Sequence, residues 1–391
     1  MSALERMVKR AKVIVCVGSG GVGKTTTAAI VGIHAARLGK RVVVLTVDPA
    51  RRLASSLGAK GLDHDLQQIP LDGLQGGEAA GELWATMLDM KRTFDGIVER
   101  DAPDAATRDA ILNNRFYQSF STGLAGAQEL SASERLLEVV SSGEWDLVVL
   151  DTPPSANALD FFDAPGRYFE ALDSKAVQWV TNASAGGGGL LGGLLGGGTQ
   201  VLLKVLSRFT GSEFFDELGL FLENFSTLLD GFRRRTEATQ ALFHADDTSF
   251  ILVTAPDPAT VDAALQFRSA LEKQRLELDA VIANRVQLPL SAGATPTQDE
   301  LAVGLRVRVS GLPETASRLC AEQVLRTVRD RELLAERDRA MLQRLRSALP
   351  GVPLVPVPLY SRDVHSLSGL NAMREDVFAG ELRQASSNAR A

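Results

Sequence analysis

The chain has 391 residues, 45% of them hydrophobic, and a formal net charge of −6; this length predicts one large domain with insertions, or two domains. The acidic balance argues against a general nucleic-acid-binding protein, and two distant cysteines, Cys16 and Cys320, exclude a disulfide framework and a C-x-x-C metal site. The first twelve residues lack the apolar segment of a signal peptide and no run of 18 apolar residues occurs, so we predict a cytoplasmic protein without a transmembrane segment.

The first motif lies between an apolar run and a helical pattern. Residues 12–17, KVIVCV, are rich in β-branched side chains and predict a buried parallel strand, whereas residues 24–39 have apolar side chains at helical spacing. Between them the sequence fits the phosphate-binding pattern G-x-x-x-x-G-K-[ST] with Gly18, Ser19, Gly20, Gly21, Val22, Gly23, Lys24 and Thr25.

The residue types of this loop suit phosphate chemistry. Glycines let successive backbone N–H groups point at phosphate oxygens, and the helix N-terminus adds partial positive charge. Lys24 is expected to reach the β- and γ-phosphates, and the Thr25 hydroxyl to bind Mg²⁺. Thr26 extends the predicted nucleotide contacts. The motif and its two flanks favour a nucleotide site over a glycine turn that only joins a strand to a helix.

Further apolar runs predict strands at 41–48, 145–151, 249–255, 278–285 and 352–358. Helical patterns separate them, and this alternation predicts an α/β fold with a parallel sheet flanked by helices on both faces. Ligands of such sheets bind beyond the carboxyl ends of the strands. At that edge the runs end in Asp48, Asp151, Pro256, Asn284 and Pro358.

The two carboxylates among these strand ends have the position that phosphate chemistry requires. Asp151 ends the run LVVLD, where enzymes with a phosphate-binding loop hold Mg²⁺, often through a water; the alternative is a cap for the next turn. Asp48 could polarise the attacking water, or cap a helix with Pro49 at its first position. Arg51 or Arg52 could face phosphate or form ordinary surface charge.

Two later segments could contact a base. The amide of Asn284 could pair with an adenine edge through one donor and one acceptor, although it could also be an ordinary turn residue. Residues 355–367 combine prolines with Asp363 and His365. A proline-stiffened loop can support a flat base, whereas His365 is expected to be a surface histidine.

Two stretches interrupt the alternation. Residues 58–144 are expected to form loops and then helices, and residues 155–245 contain a glycine–leucine segment followed by a helix at 214–232 with an apolar face. We therefore predict an ATPase domain over 1–154 and 246–380, an α-helical insertion over 155–245, and a disordered tail over 381–391. The charged stretch 326–349 predicts a helix with a solvated face.

Together these pieces resemble the ArsA-type ATPases, which include the arsenite-pump ATPase and the tail-anchored-protein targeting ATPase of the GET pathway. The matching segments are GSGGVGKTTTAA, VDPARRLASSLG, VVLDTPPSANALDFF, the stretch 251–285 and VPVPLYSRDVHSLSGL, in family order from about residue 12 to 370. The resemblance is greatest to the bacterial branch called anion-transporting ATPase.

This resemblance implies a dimeric, ATP- and Mg²⁺-dependent P-loop ATPase of the MinD-like (SIMIBI) group. It implies that Asp48 is the water-polarising aspartate and that Asp151 begins the second switch segment. Asn284 matches an adenine-contacting asparagine, and the loop 356–362, with Pro358 and Leu359, matches the adenine shelf.

Three departures from the family pattern bear on function. Ser19 stands where the family loop has a lysine that reaches the partner's nucleotide, so catalysis across a dimer lacks that charge. Cys16 and Cys320 cannot form the three-thiolate site that a soft metalloid requires, and the zinc-binding C-x-x-C clamp is absent. One phosphate loop per chain means that a composite site requires a second chain, identical or paralogous.

Four functions remain as hypotheses. The first is a nucleotide-switched dimer that binds a hydrophobic client, such as a membrane-protein segment, on the apolar face within 155–245; that face could instead pack into the protein's own core. The others are a metalloid- or anion-pump subunit, a slowly hydrolysing scaffold, and a positioning ATPase of the ParA/MinD type.

Overall fold

An eight-stranded sheet organises the chain in a computed structural model that describes residues 1–47, 52–59, 62–71, 80–123, 127–153, 212–290, 295–361, 364 and 366–378. The strands are β1 (Val13–Val17), β2 (Arg41–Thr46), β3 (Gln67–Ile69), β4 (Glu82–Met87), β5 (Leu147–Asp151), β6 (Thr248–Thr254), β7 (Ala280–Val286) and β8 (Leu354–Pro358). Their order is β3-β4-β2-β5-β1-β6-β7-β8, and every pair is parallel except β3–β4.

Helices connect these strands. They are α1 (Ala3–Arg10), α2 (Lys24–Arg37), α3 (Arg52–Leu57), α4 (Met90–Asp101), α5 (Ala105–Leu112), α6 (Arg115–Gly123), α7 (Ala127–Ser141), α8 (Ser212–Ser226), α9 (Leu229–Phe243), α10 (Pro258–Lys273), α11 (Gln298–Arg308), α12 (Glu314–Ala348) and α13 (Leu367–Phe378). In the described part of the chain, none of them is long and apolar enough to cross a membrane.

Both faces of the sheet are buried under helices, which confirms the predicted α/β fold. Successive side chains of a strand point to opposite faces. Ile14 and Cys16 of β1 accordingly join an apolar cluster with α1, α2 and α13. Val15 and Val17 join a second cluster with α7, α10 and α12. The central strands are therefore buried on both faces, and their continuous apolar runs fit that position, as the sequence indicated.

Strands β3 and β4 were not predicted, because the stretch 58–144 was assigned loops and helices. β4 pairs with β2 in parallel, from Arg41 opposite Glu82 to Thr46 opposite Met87, and β3 forms the antiparallel edge. The run ELWATM of β4 is short, begins with a glutamate and contains a threonine before its last residue. Its strand structure depends on pairing with β2, which local sequence does not report.

The predicted helix 214–232 is two helices, α8 and α9, joined at residues 227–228. Phe221 and Phe225 of α8 are buried in a third apolar cluster with Phe94 of α4 and Tyr117 of α6. This part of the apolar face therefore packs into the protein's own core rather than forming an open groove. The glycine–leucine segment and the side chains of Phe214 and Leu222 lie outside the described residues, as does the predicted tail.

Helices α11 and α12 form an antiparallel hairpin beyond β7. Arg306 forms an ion pair with Glu314, and Arg318 with Asp299. The C-terminal half of α12 packs on the sheet through Leu342 and Leu345. Of the eleven exposed large apolar residues in the described ranges, seven lie on this hairpin, so its outer part carries most of that surface: Val303, Val307, Val309, Leu319, Val324, Leu333 and Leu334.

Candidate nucleotide site

The phosphate loop lies where the sequence placed it, between β1 and α2. β1 ends at Val17 and α2 begins at Lys24, with the loop turning through three glycines with positive φ: Gly18 (147°), Gly21 (76°) and Gly23 (104°). A positive φ strains residues that carry a Cβ. The backbone conformation at these three positions therefore favours glycine over any residue with a Cβ.

Two of these glycines are also required by close contacts. A Cβ on Gly18 would lie 2.1 Å from the carbonyl oxygen of Val253 in β6. A Cβ on Gly23 would lie 2.3 Å from Nδ2 of Asn284 in β7. Gly21, in contrast, has no atom within 4 Å of its Cβ position. The loop is thus held directly against the ends of β6 and β7.

Lys24 begins α2 and is buried despite its charge. Its Nζ donates a hydrogen bond of 3.1 Å to the carbonyl oxygen of Ser19, across the loop. Burial of an ammonium group is costly unless acceptors surround it. The lysine therefore curves back over the concave side of the loop, which is the side where phosphate oxygens bind in such turns.

The next residue, Thr25, contacts the carboxylate that ends β5. Its Oγ1 donates a 2.7 Å hydrogen bond to Oδ2 of Asp151, which is 1% exposed. The parallel register explains the contact, because Asp151 lies opposite Cys16 of β1, just before the loop. The structure therefore brings together the two residues that the sequence predicted as magnesium ligands.

The donor set at this point fits magnesium. Mg²⁺ prefers hard oxygen ligands, usually one or two protein groups with water and phosphate oxygens completing the shell. A hydroxyl and a carboxylate in contact, beside a glycine loop and a lysine, supply such ligands. Thr25 would hold the ion directly, and Asp151 directly or through water.

A third side chain in this cluster, Thr46 at the end of β2, was not predicted from the sequence. Its Oγ1 donates a 2.8 Å hydrogen bond to the same Oδ2 of Asp151. Thr46 and Asp151 are also paired in the sheet. The signal available in the sequence was a hydroxyl residue at the end of the buried run VVVL, two residues before Asp48.

Asn284 lies against the loop and is buried. Its Nδ2 donates a 2.9 Å hydrogen bond to the carbonyl oxygen of Val22, and its Oδ1 accepts one from the N–H of Arg285. Arg285 has a positive φ of 61°, at an irregularity in the pairing of β7 with β8. The amide thus connects β7 to the phosphate loop in addition to its predicted contact with adenine.

Pro358 ends β8, and the N–H of Leu359 donates to the carbonyl oxygen of Val286. The side chain of Leu359 is exposed next to the end of β7. Both residues therefore lie at the same sheet edge as Asn284, the arrangement that a base-supporting loop requires. Their contact with a base stays a prediction.

Several predicted residues lie outside the described ranges. These are Asp48, Arg51, Asp363 and His365, together with the side chain of Arg52. Val47, the residue before Asp48, has a fixed backbone. Its N–H donates a hydrogen bond to the carbonyl oxygen of Asp151, and its carbonyl oxygen accepts one from Nε2 of Gln128.

The two cysteines offer no soft metal site. Cys16 is fully buried in β1, and burial raises the pKa of its thiol well above the usual range, with the Asp151 charge adding to the effect. Thiolates are the form that binds soft metals. Cys320 is exposed on α12. Within the described ranges, no group of three or more His, Cys, Asp and Glu side chains is placed to hold a metal.

Comparison with known proteins extends these observations. A profile of the anion-transporting ATPase (ArsA) family matches residues 11–294, from the strand before the phosphate loop to beyond β7. ATPase GET3 of Malassezia globosa is 26% identical over 301 residues, which cover 72% of this chain and 86% of that protein.

Two further relatives are similar to this chain over a comparable length. ATPase get3 of Aspergillus terreus is 25% identical over 274 residues, 70% of this chain and 72% of that protein. ATPase ASNA1 homolog 1 of Paramecium tetraurelia is 23% identical over 278 residues, covering 70% and 74% respectively.

Proposed function

Because the chain belongs to the anion-transporting ATPase (ArsA) family and is an ATPase, we propose that it acts as a magnesium-dependent, dimeric ATP switch whose nucleotide state controls binding of a hydrophobic client. One observation carries the magnesium part of this proposal. Thr25 and Asp151, the two oxygen ligands that we propose, are in contact at 2.7 Å beside the glycine loop and Lys24.

We assign each residue of the site a separate role in ATP hydrolysis. The loop Gly18–Gly23, with Lys24 and Thr26, binds the phosphates. Thr25 and Asp151 hold magnesium, which neutralises charge on the β- and γ-phosphates. We assign Asp48 to orienting the attacking water, because it comes two residues after β2 in the sequence and β2 ends beside Asp151. Asn284, Pro358 and Leu359 contact the base.

The catalytic assignment is tested with Asp48→Asn. We expect this variant to bind ATP with magnesium as tightly as the wild type and to hydrolyse it at least a hundredfold more slowly, since a positioned acid–base group contributes about 10²–10⁴-fold. Lys24→Met is expected to lose ATP binding, whereas Lys9→Met, which changes an exposed side chain of α1, retains both properties. Wild-type turnover in Asp48→Asn would contradict the assignment.

The same measurement addresses a slowly hydrolysing scaffold, which Ser19 favours because it brings no positive charge to the phosphates. Equal and very slow rates in the wild type and in Asp48→Asn would support the scaffold. Introducing the family's lysine by Ser19→Lys would then raise turnover if the missing charge is the cause.

The dimer is proposed because the chain has one phosphate loop and the resembling ATPases act in pairs. Its partner is an identical chain or a paralogue. Sedimentation of Asp48→Asn is expected to give a monomer without nucleotide and twice that mass with ATP and magnesium. If the mass is the same with and without ATP and magnesium, and stays the same when paralogues from lysate are present, the proposed dimer is wrong.

Client binding requires a surface other than the described face of α8, which is core. We propose that the client is an apolar protein segment and that the protein acts in the cytoplasm. A fluorescent 20-residue apolar peptide should bind differently in ATP and in ADP. A peptide with four leucines replaced by serine is the matched control. Binding that is absent, or equal in all nucleotide states, would exclude this role.

A further inference from the structure

Thr46 is a hydroxyl residue at the end of an apolar strand. The four residues before it in β2 are valine or leucine and are buried, and Thr46 itself is 1% exposed. A buried hydroxyl without a hydrogen bond costs on the order of 1–3 kcal/mol. Thr46 avoids this cost by donating to Oδ2 of Asp151 at 2.8 Å.

The acceptor atom is the one that Thr25 also uses. Oδ2 of Asp151 accepts Oγ1 of Thr25 at 2.7 Å from α2 and Oγ1 of Thr46 at 2.8 Å from β2. One carboxylate oxygen therefore joins β2, the strand before Asp48, to the helix after the phosphate loop and to β5, the strand that Asp151 ends.

The backbone fixes the position of Thr46 independently of its hydroxyl. Thr46 lies opposite Asp151 in the parallel pairing of β2 with β5, and the N–H of Val47 donates to the carbonyl oxygen of Asp151. A β-branched side chain has few χ1 rotamers, so its hydroxyl is directed with little freedom. A donor held in this way restricts rotation of the Asp151 carboxylate.

We propose that Thr46 is a positioning residue that orients Asp151 for the magnesium–nucleotide complex. This proposal rests on the magnesium site proposed above. Groups that orient a metal ligand commonly change metal affinity by about 10–100-fold when they are removed. A purely structural threonine, in contrast, would affect folding or nucleotide affinity equally with and without magnesium.

The test compares nucleotide binding in magnesium and in EDTA. Thr46→Val keeps the shape and removes the hydroxyl, Thr46→Ala removes the hydroxyl at smaller volume, and Thr46→Ser keeps the hydroxyl. Thr248→Val is the matched control. Thr248 is also a buried threonine, but it begins β6, at the end of the strand away from the phosphate loop, and its hydroxyl donates to the carbonyl oxygen of Leu242. A fluorescent ADP analogue reports the Kd, and the magnesium concentration for half-maximal binding is measured for each variant.

We expect both hydroxyl-free variants to require about tenfold more magnesium, with the Kd in EDTA within twofold of wild type. Thr46→Ser and Thr248→Val should match the wild type. Unchanged magnesium dependence in Thr46→Val or Thr46→Ala would overturn the proposal, as would an equal loss in EDTA. If wild-type binding itself is the same in magnesium and EDTA, the proposed magnesium site fails first and this inference fails with it.

Discussion

The phosphate loop depends on the absence of side chains at specific residues. Gly18, Gly21 and Gly23 all have positive φ, but only Gly18 and Gly23 also have neighbours that a Cβ would meet. The neighbour of Gly18 is a backbone carbonyl oxygen of β6, which cannot move without disturbing the sheet. The glycines of the motif are therefore needed for close packing against β6 and β7 as well as for a turn with positive φ.

Gly18→Ala should consequently destabilise the fold more than Gly21→Ala. Gly21→Ala introduces only unfavourable φ, which costs about 1–2 kcal/mol, whereas Gly18→Ala adds a contact at 2.1 Å with Val253. We expect at least twice the loss in the free energy of unfolding, measured by urea denaturation without nucleotide. Equal losses would show that β6 shifts freely and that the close contact has no energetic weight.

At the scale of elements, a largely buried ion cluster connects three helices. Arg235 of α9 donates to Glu134 of α7 at 2.7 Å and also pairs with Asp101 of α4. Burial raises the pKa of Glu134, and the Arg235 charge opposes that effect. The arginine thus compensates two carboxylates at the centre of the helical cluster.

Arg235→Met should cost about 3 kcal/mol, because it leaves the buried Glu134 with only the more distant and more exposed Arg100, 4.0 Å away, to compensate its charge. Burial already raises the folded-state pKa of Glu134, and the variant loses the opposing charge, so the deficit should be largest at high pH and should shrink as the pH falls and Glu134 takes up a proton. Thermal unfolding at several pH values measures this. Arg234→Met, which alters an exposed arginine of the same helix, is the control. A deficit independent of pH would contradict the role of Glu134.

A second contact between elements joins α2, which follows the phosphate loop, to the C-terminal α13. His34 stacks on Phe378 with ring centroids 3.5 Å apart and planes within 9°. Burial, helped by the Arg374 charge, lowers the pKa of His34 to about 4. The charge of Glu5 opposes this lowering of the pKa, whereas the charges of Lys9 and Arg37 add to it. The neutral imidazole is therefore the form that the folded protein holds.

This contact predicts loss of stability in mild acid. Because the folded pKa of about 4 lies below the unfolded value of 6.5, the contribution is complete above pH 6.5 and is lost as pH falls towards 4, up to about 3 kcal/mol. His34→Leu should flatten this part of the profile. Urea denaturation at pH 7.5, 5.5 and 4.5 measures it, and the difference between the two proteins at each pH cancels other titrating groups. An unchanged slope in His34→Leu would refute the prediction.

At the scale of the whole molecule, stability is expected to be uneven along α12. Its C-terminal half contacts the sheet, and Asp338 there accepts the N–H of Gln287 at 2.8 Å. Its N-terminal half, where Ser317 and Ala321 are buried, packs mainly against α11. Few buried contacts imply local opening at low free energy.

Hydrogen exchange should therefore be at least tenfold faster for residues 315–331 than for residues 338–348. Mass spectrometry of peptides from both halves measures this at two protein concentrations. Equal protection at high concentration that is lost on dilution would show that another copy covers the hairpin. Equal protection at both concentrations would contradict the uneven stability.

The sequence was sufficient to predict the phosphate loop, six of the eight described strands and the edge where Asp151 and Asn284 lie, because each is encoded by local pattern. It was not sufficient for β4, whose strand structure depends on β2, or for Thr46, whose role depends on a contact with a residue over a hundred positions away. The apolar face of α8 was equally compatible with groove and core, since amphipathic pattern does not identify what covers it.

The sheet order has a consequence for synthesis of the protein on the ribosome. β1 carries the phosphate loop and emerges early, yet one of its two neighbours, β6, is paired through Val13 and Thr248. At roughly 5–20 residues per second, the nascent chain waits on the order of tens of seconds before Val253 and Asn284 emerge to contact the loop. Until then β1 has an unpaired side, which is a target for chaperones. A chain truncated before β6 would lack the contacts of Val253 and Asn284 that hold the phosphate loop.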